Sequence, residues 1–262
     1  MIKEFRDIKR NLCNVILMRR IIKLDPFLFF IHLPPRCIFR KLNATLKFRV
    51  LRMKKISLEF LFPSHVCLYE MLIEKIYYQH KDFIPKRNWI VFDIGAYLGV
   101  YSILSAYMGA IVYAFEPILE NYILLLVNLS MNANKLAGKV IPRKFAIGNY
   151  LGKAFMLKRG RCSRIVKKLS RRCEEVKIIT IDEFCRRNDI KFINLMKIDT
   201  EGYELQVLKG AQHMLAQHKI EKIISSNYHY LEEDKIVTRY LEKYNYKKVL
   251  TRSSVSYYEV KF

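Results

Sequence analysis

The sequence predicts an α/β fold with a mostly parallel sheet, on three observations. Trp89 to Ile94 is an uninterrupted apolar run but for one acid, broken by Gly95 and Gly99 and followed by a helical pattern; Ile111 to Phe115 is a second apolar run, ending in Glu116 and Pro117; Phe192 to Ile198 is a third, ending in Asp199, Thr200, Glu201 and Gly202 before another helical stretch. Strands without polar alternation are those buried on both faces, and strands alternating with helices build parallel sheets.

The elements follow in order. Residues 1 to about 60 are dense in Lys and Arg, and Ile8, Leu12, Val15, Ile16 and Met18 to Ile22 recur at near-helical spacing, so 1–65 reads as a basic helical N-terminal extension. Such a stripe suits either an anionic membrane surface or packing on the core. Pro26, Pro34 and Pro35 interrupt any long helix. Helical spacing resumes over Val66 to Tyr78, and 66–262 is expected to form the main domain. Its elements are the strand and helix around Gly95 and Gly99, the strand ending at Phe115, a helix from Ile118 to Leu129 and beyond, and a strand over Lys139 to Ile147. A loop over Lys158 to Arg172 holds eight bases and no acid. After it come a strand at Val176 to Ile181, a helix capped by Asp182 and Glu183, the strand ending at Asp199, a helix closing at Gly210, a strand at Lys222 to Ser226, a helix over Leu231 to Tyr244, and a C-terminal antiparallel hairpin, Tyr246 to Leu250 and Val255 to Phe262.

A glycine turn after a buried first strand lets a ligand approach the backbone and the free N–H groups of the next helix. The spacing D-x-G-x-x-x-G, from Asp93 through Gly95 to Gly99, is not the G-x-G-x-x-G that cradles a pyrophosphate. An acid within the turn favours a ligand with an ammonium group and no phosphate, and S-adenosyl-L-methionine is such a ligand. Glu116, at the tip of the second strand, is placed to accept both ribose hydroxyls. The plain alternatives are a helix-capping Asp93 and an ordinary loop acid at Glu116. Asp199 and Glu201 stand at the same end of the sheet, where capping and a first-turn acid are the plain alternatives. His229 follows the strand ending at Ser226 and is expected on the same face; Lys197 reads as an ion-pair partner.

The chain has 262 residues and a formal net charge of +23, enough for one core and an appendage whose surface favours phosphates, acidic glycans or anionic lipid. No apolar run reaches membrane-spanning length. Cys13, Cys37, Cys67, Cys162, Cys173 and Cys185 lack C-x-x-C spacing, which suggests reduced packing residues in a chain that is cytoplasmic, free or membrane-peripheral, with a Cys162 to Cys173 bridge left open. No secretory signal is legible.

The strings FDIGAYLGVYS (Phe92 to Ser102), YAFEP (Tyr113 to Pro117), TIDEF (Thr180 to Phe184) and MKIDTEGYELQVLKGA (Met196 to Ala211) resemble the FkbM family of S-adenosylmethionine-dependent methyltransferases, from about Trp89 to the C-terminus. The resemblance implies the Rossmann-like class I methyltransferase sheet and transfer of a methyl group to a hydroxyl of a sugar, glycan or secondary metabolite. It implies that Asp93, Gly95, Ala96, Tyr97 and Gly99 bind the methionine part, that Glu116 and Pro117 meet the ribose, and that Asp199 and Glu201 line the acceptor side. It departs at Tyr97, where the family usually has Asn. Asp199 or His229 is the expected base, with Glu201 orienting the acceptor; a divalent cation on Asp199 and Glu201 ranks second, two acids alone being a poor site, so no metal is expected. Competing readings are RNA methylation, and a non-catalytic basic module contacting nucleic acid or membrane through 1–60 and 158–172.

Overall fold

The computed structural model describes residues 49–53, 58–62, 76–158, 163–166 and 173–261. The expectations for the basic extension up to residue 48, most of the Val66 to Tyr78 helix, most of the 158–172 loop, and Cys13, Cys37, Cys67 and Cys162 lie outside them.

Leu51–Phe262 forms one compact unit. Strand β1 (Arg49–Met53) pairs with β2 (Leu58–Phe62) in a two-stranded sheet. Leu58 and Phe60 are fully buried against Leu98, Val100, Ile103 and Leu129, so β2 packs inside a domain whose start was expected near residue 66.

The main sheet has seven strands: β3 (Ile90–Ile94), β4 (Ile111–Phe115), β5 (Lys139–Arg143), β10 (Ile193–Ile198), β11 (Ile220–Ser226), β12 (Tyr246–Arg252) and β13 (Val255–Val260), in the order β12-β13-β11-β10-β3-β4-β5. The five strands from β11 to β5 run parallel, and β13 lies antiparallel between β11 and β12. Both faces are covered, as continuous apolar strands require. On one, Phe92, Phe115, Phe184, Met196, Ile198 and Tyr258 share a core; on the other, Val91, Tyr101, Val112, Leu195, Ile224 and Tyr257 share a second. Helices α1 (Val100–Tyr107), α2 (Leu119–Asn132), α3 (Ile181–Arg187), α4 (Glu204–Lys209), α5 (Gln212–Ala216) and α6 (Glu233–Glu242) connect the strands.

Between β5 and α3 the strand expected at Val176 to Ile181 is present as the end of a longer one, but the strand expected over Lys139 to Ile147 is divided and two further strands were not anticipated. The chain leaves the main sheet at Arg143, and β6 (Ala146–Ile147), β7 (Gly152–Leu157), β8 (Arg164–Val166) and β9 (Cys173–Ile179) form a second, four-stranded sheet. Half of it is legible afterwards: Ala154, Met156, Val176 and Ile178 point inward at alternate positions, but the exposed Lys153, Lys177 and neighbouring bases mask that period in the sequence. The other expected elements among the described residues fall within a few residues of their bounds, whereas β1, β2 and α5 were not anticipated.

Candidate active site

The carboxyl ends of β3, β4 and β10 meet around one cavity of about 300 Å³, walled by Gly95, Ala96, Tyr97, Glu116, Pro117, Asp199 and Glu201 among others. Backbone bonds stitch the three ends together: the N–H groups of Gly95 and Ala96 donate to the Phe115 carbonyl, and that of Asp199 to the Ile94 carbonyl at 3.0 Å. Gly95 has φ +79°, and a Cβ there would lie 1.8 Å from the Asp199 carbonyl oxygen. Glycine is therefore demanded twice, by the left-handed backbone and by the approach of β10.

Tyr97 also takes a left-handed conformation, φ +50°. Asn adopts that region far more readily than an aromatic residue, which gives a physical reason for the Asn usual in the family. The strained turn is held by its own N–H, which donates to Glu116 Oε2 at 3.0 Å.

Glu116 is 5 % exposed. Its Oε1 accepts from the Ile118 N–H at 2.9 Å and from Asn121 Nδ2 at 3.3 Å. Burial pushes its carboxyl up to about 7 against the pull of these donors and of Lys197. The carboxylate is thus oriented from behind, with lone-pair capacity left toward the cavity.

Asp93, Gly99 and His229 do not wall the cavity. Asp93 is fully buried; its Oδ2 accepts from Ser102 Oγ at 2.6 Å and its Oδ1 pairs with Lys197 Nζ at 3.0 Å. Lys197 also donates to the Gly95 carbonyl at 3.0 Å and lies 4.0 Å from Asp199 Oδ2. Burial opposes its charge, but Asp93 and Asp199 outweigh burial and hold the ammonium protonated. Lys197, anticipated as a partner of the acids at 199 and 201, pairs most closely with Asp93 and so neutralises the turn acid, while Glu116, Asp199 and Glu201 line the cavity beside it. Gly99 begins α1 and sits over Leu125.

At the acceptor end, Tyr77 donates from its hydroxyl to Asp199 Oδ2 at 2.6 Å, with its ring 5.0 Å from Lys197 Nζ. His229 lies behind Asp199 and Glu201. Its Nδ1 is 3.2 Å from Glu233 Oε2 and its Nε2 3.7 Å from Glu201 Oε2. Burial disfavours the imidazolium, but Glu233, Glu204 and Asp199 overcome that and raise it to about 9. At neutral pH the ring is a cation clamped by acids, a poor proton acceptor.

Sequence reasoning missed Tyr77, Glu204, Glu233 and the wall formed by Met156 and Ile165 of the second sheet. Glu204 lies inside the string KIDTEGYE and reads there as a helix-start acid, as Glu233 does at the start of α6; nothing local marks Tyr77. No helix among the described residues is long and apolar enough to cross a membrane.

A seven-stranded sheet with its last strand, β13, reversed into an otherwise parallel array, and with a glycine turn and acids at its switch-point crevice, defines a class I, S-adenosylmethionine-dependent methyltransferase domain. The methyltransferase FkbM domain matches residues 93–248, and the chain belongs to the FkbM methyltransferase family. A hexuronic acid methyltransferase, AglP, of Haloferax volcanii is 27% identical over 127 residues, 48% of this chain and 51% of that protein; the chain thus spans about half the length of this curated relative. Among solved structures, a Methanococcus jannaschii fibrillarin pre-rRNA processing protein is similar at TM-score 0.45 and 15% identity, covering 82% of this chain and 84% of that one. A precorrin 8W decarboxylase of Methanobacterium thermoautotrophicum is similar at TM-score 0.44 and 14% identity, covering 81% and 96%.

Proposed function

We propose that the protein transfers a methyl group from S-adenosyl-L-methionine to a hydroxyl oxygen of a sugar, glycan or secondary metabolite. The observation that carries this reading is the opening of Glu116 and of the Asp199 and Glu201 pair onto one cavity, at the ends of neighbouring strands. The residues fit the cofactor: the turn Gly95 to Tyr97 offers backbone, Glu116 offers a carboxylate for the ribose hydroxyls, and Phe115, Phe145, Ala146 and Ile147 offer an apolar wall for the base. Asp93 and Gly99 serve the same end indirectly, by fixing Lys197 and the start of α1.

When bound, the cofactor supplies an electrophilic methyl group on a cationic sulfur. The chain's work is to exclude water, to hold the acceptor oxygen in line and to receive its proton. Asp199 is the group for that proton. Its Oδ2 is fixed by Tyr77, while its buried Oδ1 has no hydrogen-bond donor among the described residues. Glu201, at the cavity wall, orients the acceptor, and His229 holds Glu201 from behind. The name of the relative from Haloferax volcanii supports a sugar acceptor, and the net charge of +23 favours an acidic one.

Incubating the protein with methyl-labelled cofactor and separated glycan, lipid and RNA fractions tests the proposal. Label in the glycan or small-molecule fraction, lost with Asp199→Asn, is the expected result. Label confined to RNA, insensitive to that substitution, overturns it.

A further inference from the structure

The strand order β13-β11-β10-β3-β4 spreads the cavity wall to both sides of Asp199: Glu116 ends β4 on one side, while Tyr228, after β11, and the turn Ser253 and Ser254, before β13, complete the wall on the other. We infer that Tyr228, Ser253 and Ser254 form the acceptor subsite, and that it takes a pyranose ring stacked on Tyr228, with the sugar hydroxyls turned to the two serines and to Asp199 and Glu201. The inference rests on the methyl-transfer reading and names the acceptor class within it.

The subsite is held on rigid supports. Ser253 and Ser254 join β12 to β13 with φ +49° and +60°. A two-residue hairpin turn demands that left-handed backbone and normally fills it with Asn and Gly; serine keeps the strain and brings a hydroxyl at each position. The Asn227 N–H donates to the Ser254 carbonyl at 3.1 Å, which ties the turn to the segment carrying Tyr228. Asn227 is itself locked: its Oδ1 accepts from Ser225 Oγ at 2.6 Å, and its Nδ2 donates to Asp234 Oδ1 and to the Tyr258 hydroxyl, each at 3.1 Å. Gly202 lets the same segment close on the turn that carries Glu201, since a Cβ there would lie 3.3 Å from His229 Cβ. Tyr228 nonetheless stays 54 % exposed. One face of its ring lies against the His229 imidazole, the centroids 4.2 Å apart and the planes tilted by 32°, which leaves the opposite face for a ligand.

The charges choose that ligand. Among the described residues lining the cavity the acids are Glu116, Asp199 and Glu201, and the one base, Lys197, is engaged by Asp93 and the Gly95 carbonyl. A phosphate meets no unengaged cation among them, so a nucleotide is disfavoured at this end, although aromatic platforms take bases readily. A carboxylate accepts hydrogen bonds, so the ligand must bring several donors of its own. A pyranose does: it carries hydroxyls around its edge and an apolar C–H face for an aromatic ring.

Saturation-transfer difference NMR on the full chain with S-adenosylhomocysteine tests the subsite. The probes are methyl glycosides of neutral hexoses and of hexuronic acids, with uridine monophosphate as the nucleotide arm; calorimetry of S-adenosylhomocysteine runs in parallel. Wild type is expected to saturate pyranoside ring protons and to bind uridine monophosphate more weakly. Tyr228→Ala should weaken the best-bound pyranoside at least about tenfold, and Tyr228→Phe, which keeps the ring, should restore most of that loss. Phe192→Ala, an exposed aromatic at the opposite end of β10, should bind as wild type. Ser253→Gly with Ser254→Gly should melt above wild type, because glycine takes left-handed backbone freely, and should still bind the pyranoside more weakly. Should Tyr228→Ala fail to fold by circular dichroism, Tyr228→Leu is read in its place. No pyranoside saturation with wild type, tighter binding of uridine monophosphate than of any pyranoside, or wild-type pyranoside affinity in Tyr228→Ala or in the double serine variant overturns the inference. Any of these with S-adenosylhomocysteine still bound defeats the subsite alone; pyranoside binding that depends on Tyr228, without S-adenosylhomocysteine binding, defeats the methyl-transfer reading alone.

Discussion

Replacing Gly95 by Ala strikes the point where the strand ends meet. A left-handed backbone costs an L-residue about 1–2 kcal/mol. The new Cβ, at 1.8 Å from the Asp199 carbonyl oxygen, needs at least 3.0 Å, so backbone must move against backbone. That movement disrupts the 3.0 Å bond from the Asp199 N–H to the Ile94 carbonyl, a further loss of about 1 kcal/mol. Together these give about 2–3 kcal/mol, or a fall in Tm of about 4–12 °C for a domain of this size. Shifting Asp199 relative to the turn should also weaken S-adenosylhomocysteine binding about tenfold or more. Gly99→Ala is the comparison: its φ is +77°, but its Cβ meets the buried Leu125 side chain at 2.9 Å rather than backbone, so the backbone cost of about 1–2 kcal/mol and a shift of that side chain are expected without displacement of a strand end. Thermal melts and calorimetry of both variants give the comparison. A Gly95→Ala protein that melts with wild type, or no lower than Gly99→Ala, would refute the close approach as the reason for glycine.

Lys197→Met leaves Asp93 buried without its cation and should destabilise by about 3–5 kcal/mol; Lys197→Met with Asp93→Asn should recover much of the loss in urea melts, and an equal loss in the double variant speaks against the pair. Leu58→Ala, at a fully buried side chain, should lower stability by about 2–5 kcal/mol, whereas a change near zero would place β2 outside the domain's core. For pH dependence the sign follows from Glu116, whose native carboxyl sits near 7 rather than the ordinary 4.5. The native state keeps a proton that the unfolded chain has released, so stability declines as pH rises from about 4.5 through 7. Melts of Glu116→Gln should lose less Tm than wild type between pH 5 and pH 8, and parallel profiles would count against the raised carboxyl.

The parallel strands were legible because a strand buried on both faces writes itself as an apolar run, and their acids because a strand's carboxyl end follows directly in sequence. Asp93, Glu116, Asp199 and Glu201 were found that way. What each acid faces was not legible. Asp93 was read as a ligand contact, yet it lies beneath the turn, because Lys197 comes from a strand whose side chains interleave with β3 only through register: Lys197 pairs with Asp93 across the sheet. Tyr77 reaches Asp199 across a sequence separation of 122, which leaves no local signal, whereas Glu233, four residues after His229, reads in the sequence only as an acid at a helix start. The second sheet was hidden by its exposed lysines and arginines, although its inner face alternates.

The central claim is that Glu116 grips a nucleoside within the cavity shared with Asp199. Titration calorimetry of S-adenosylhomocysteine into wild type and Glu116→Ala tests it most directly. One nucleoside bound per chain, weakened in Glu116→Ala by about ten- to a hundredfold, as expected for the loss of hydrogen bonds to a charged group, is the result foreseen. Equal affinity in the two proteins, both folded, or no binding to wild type, would contradict it.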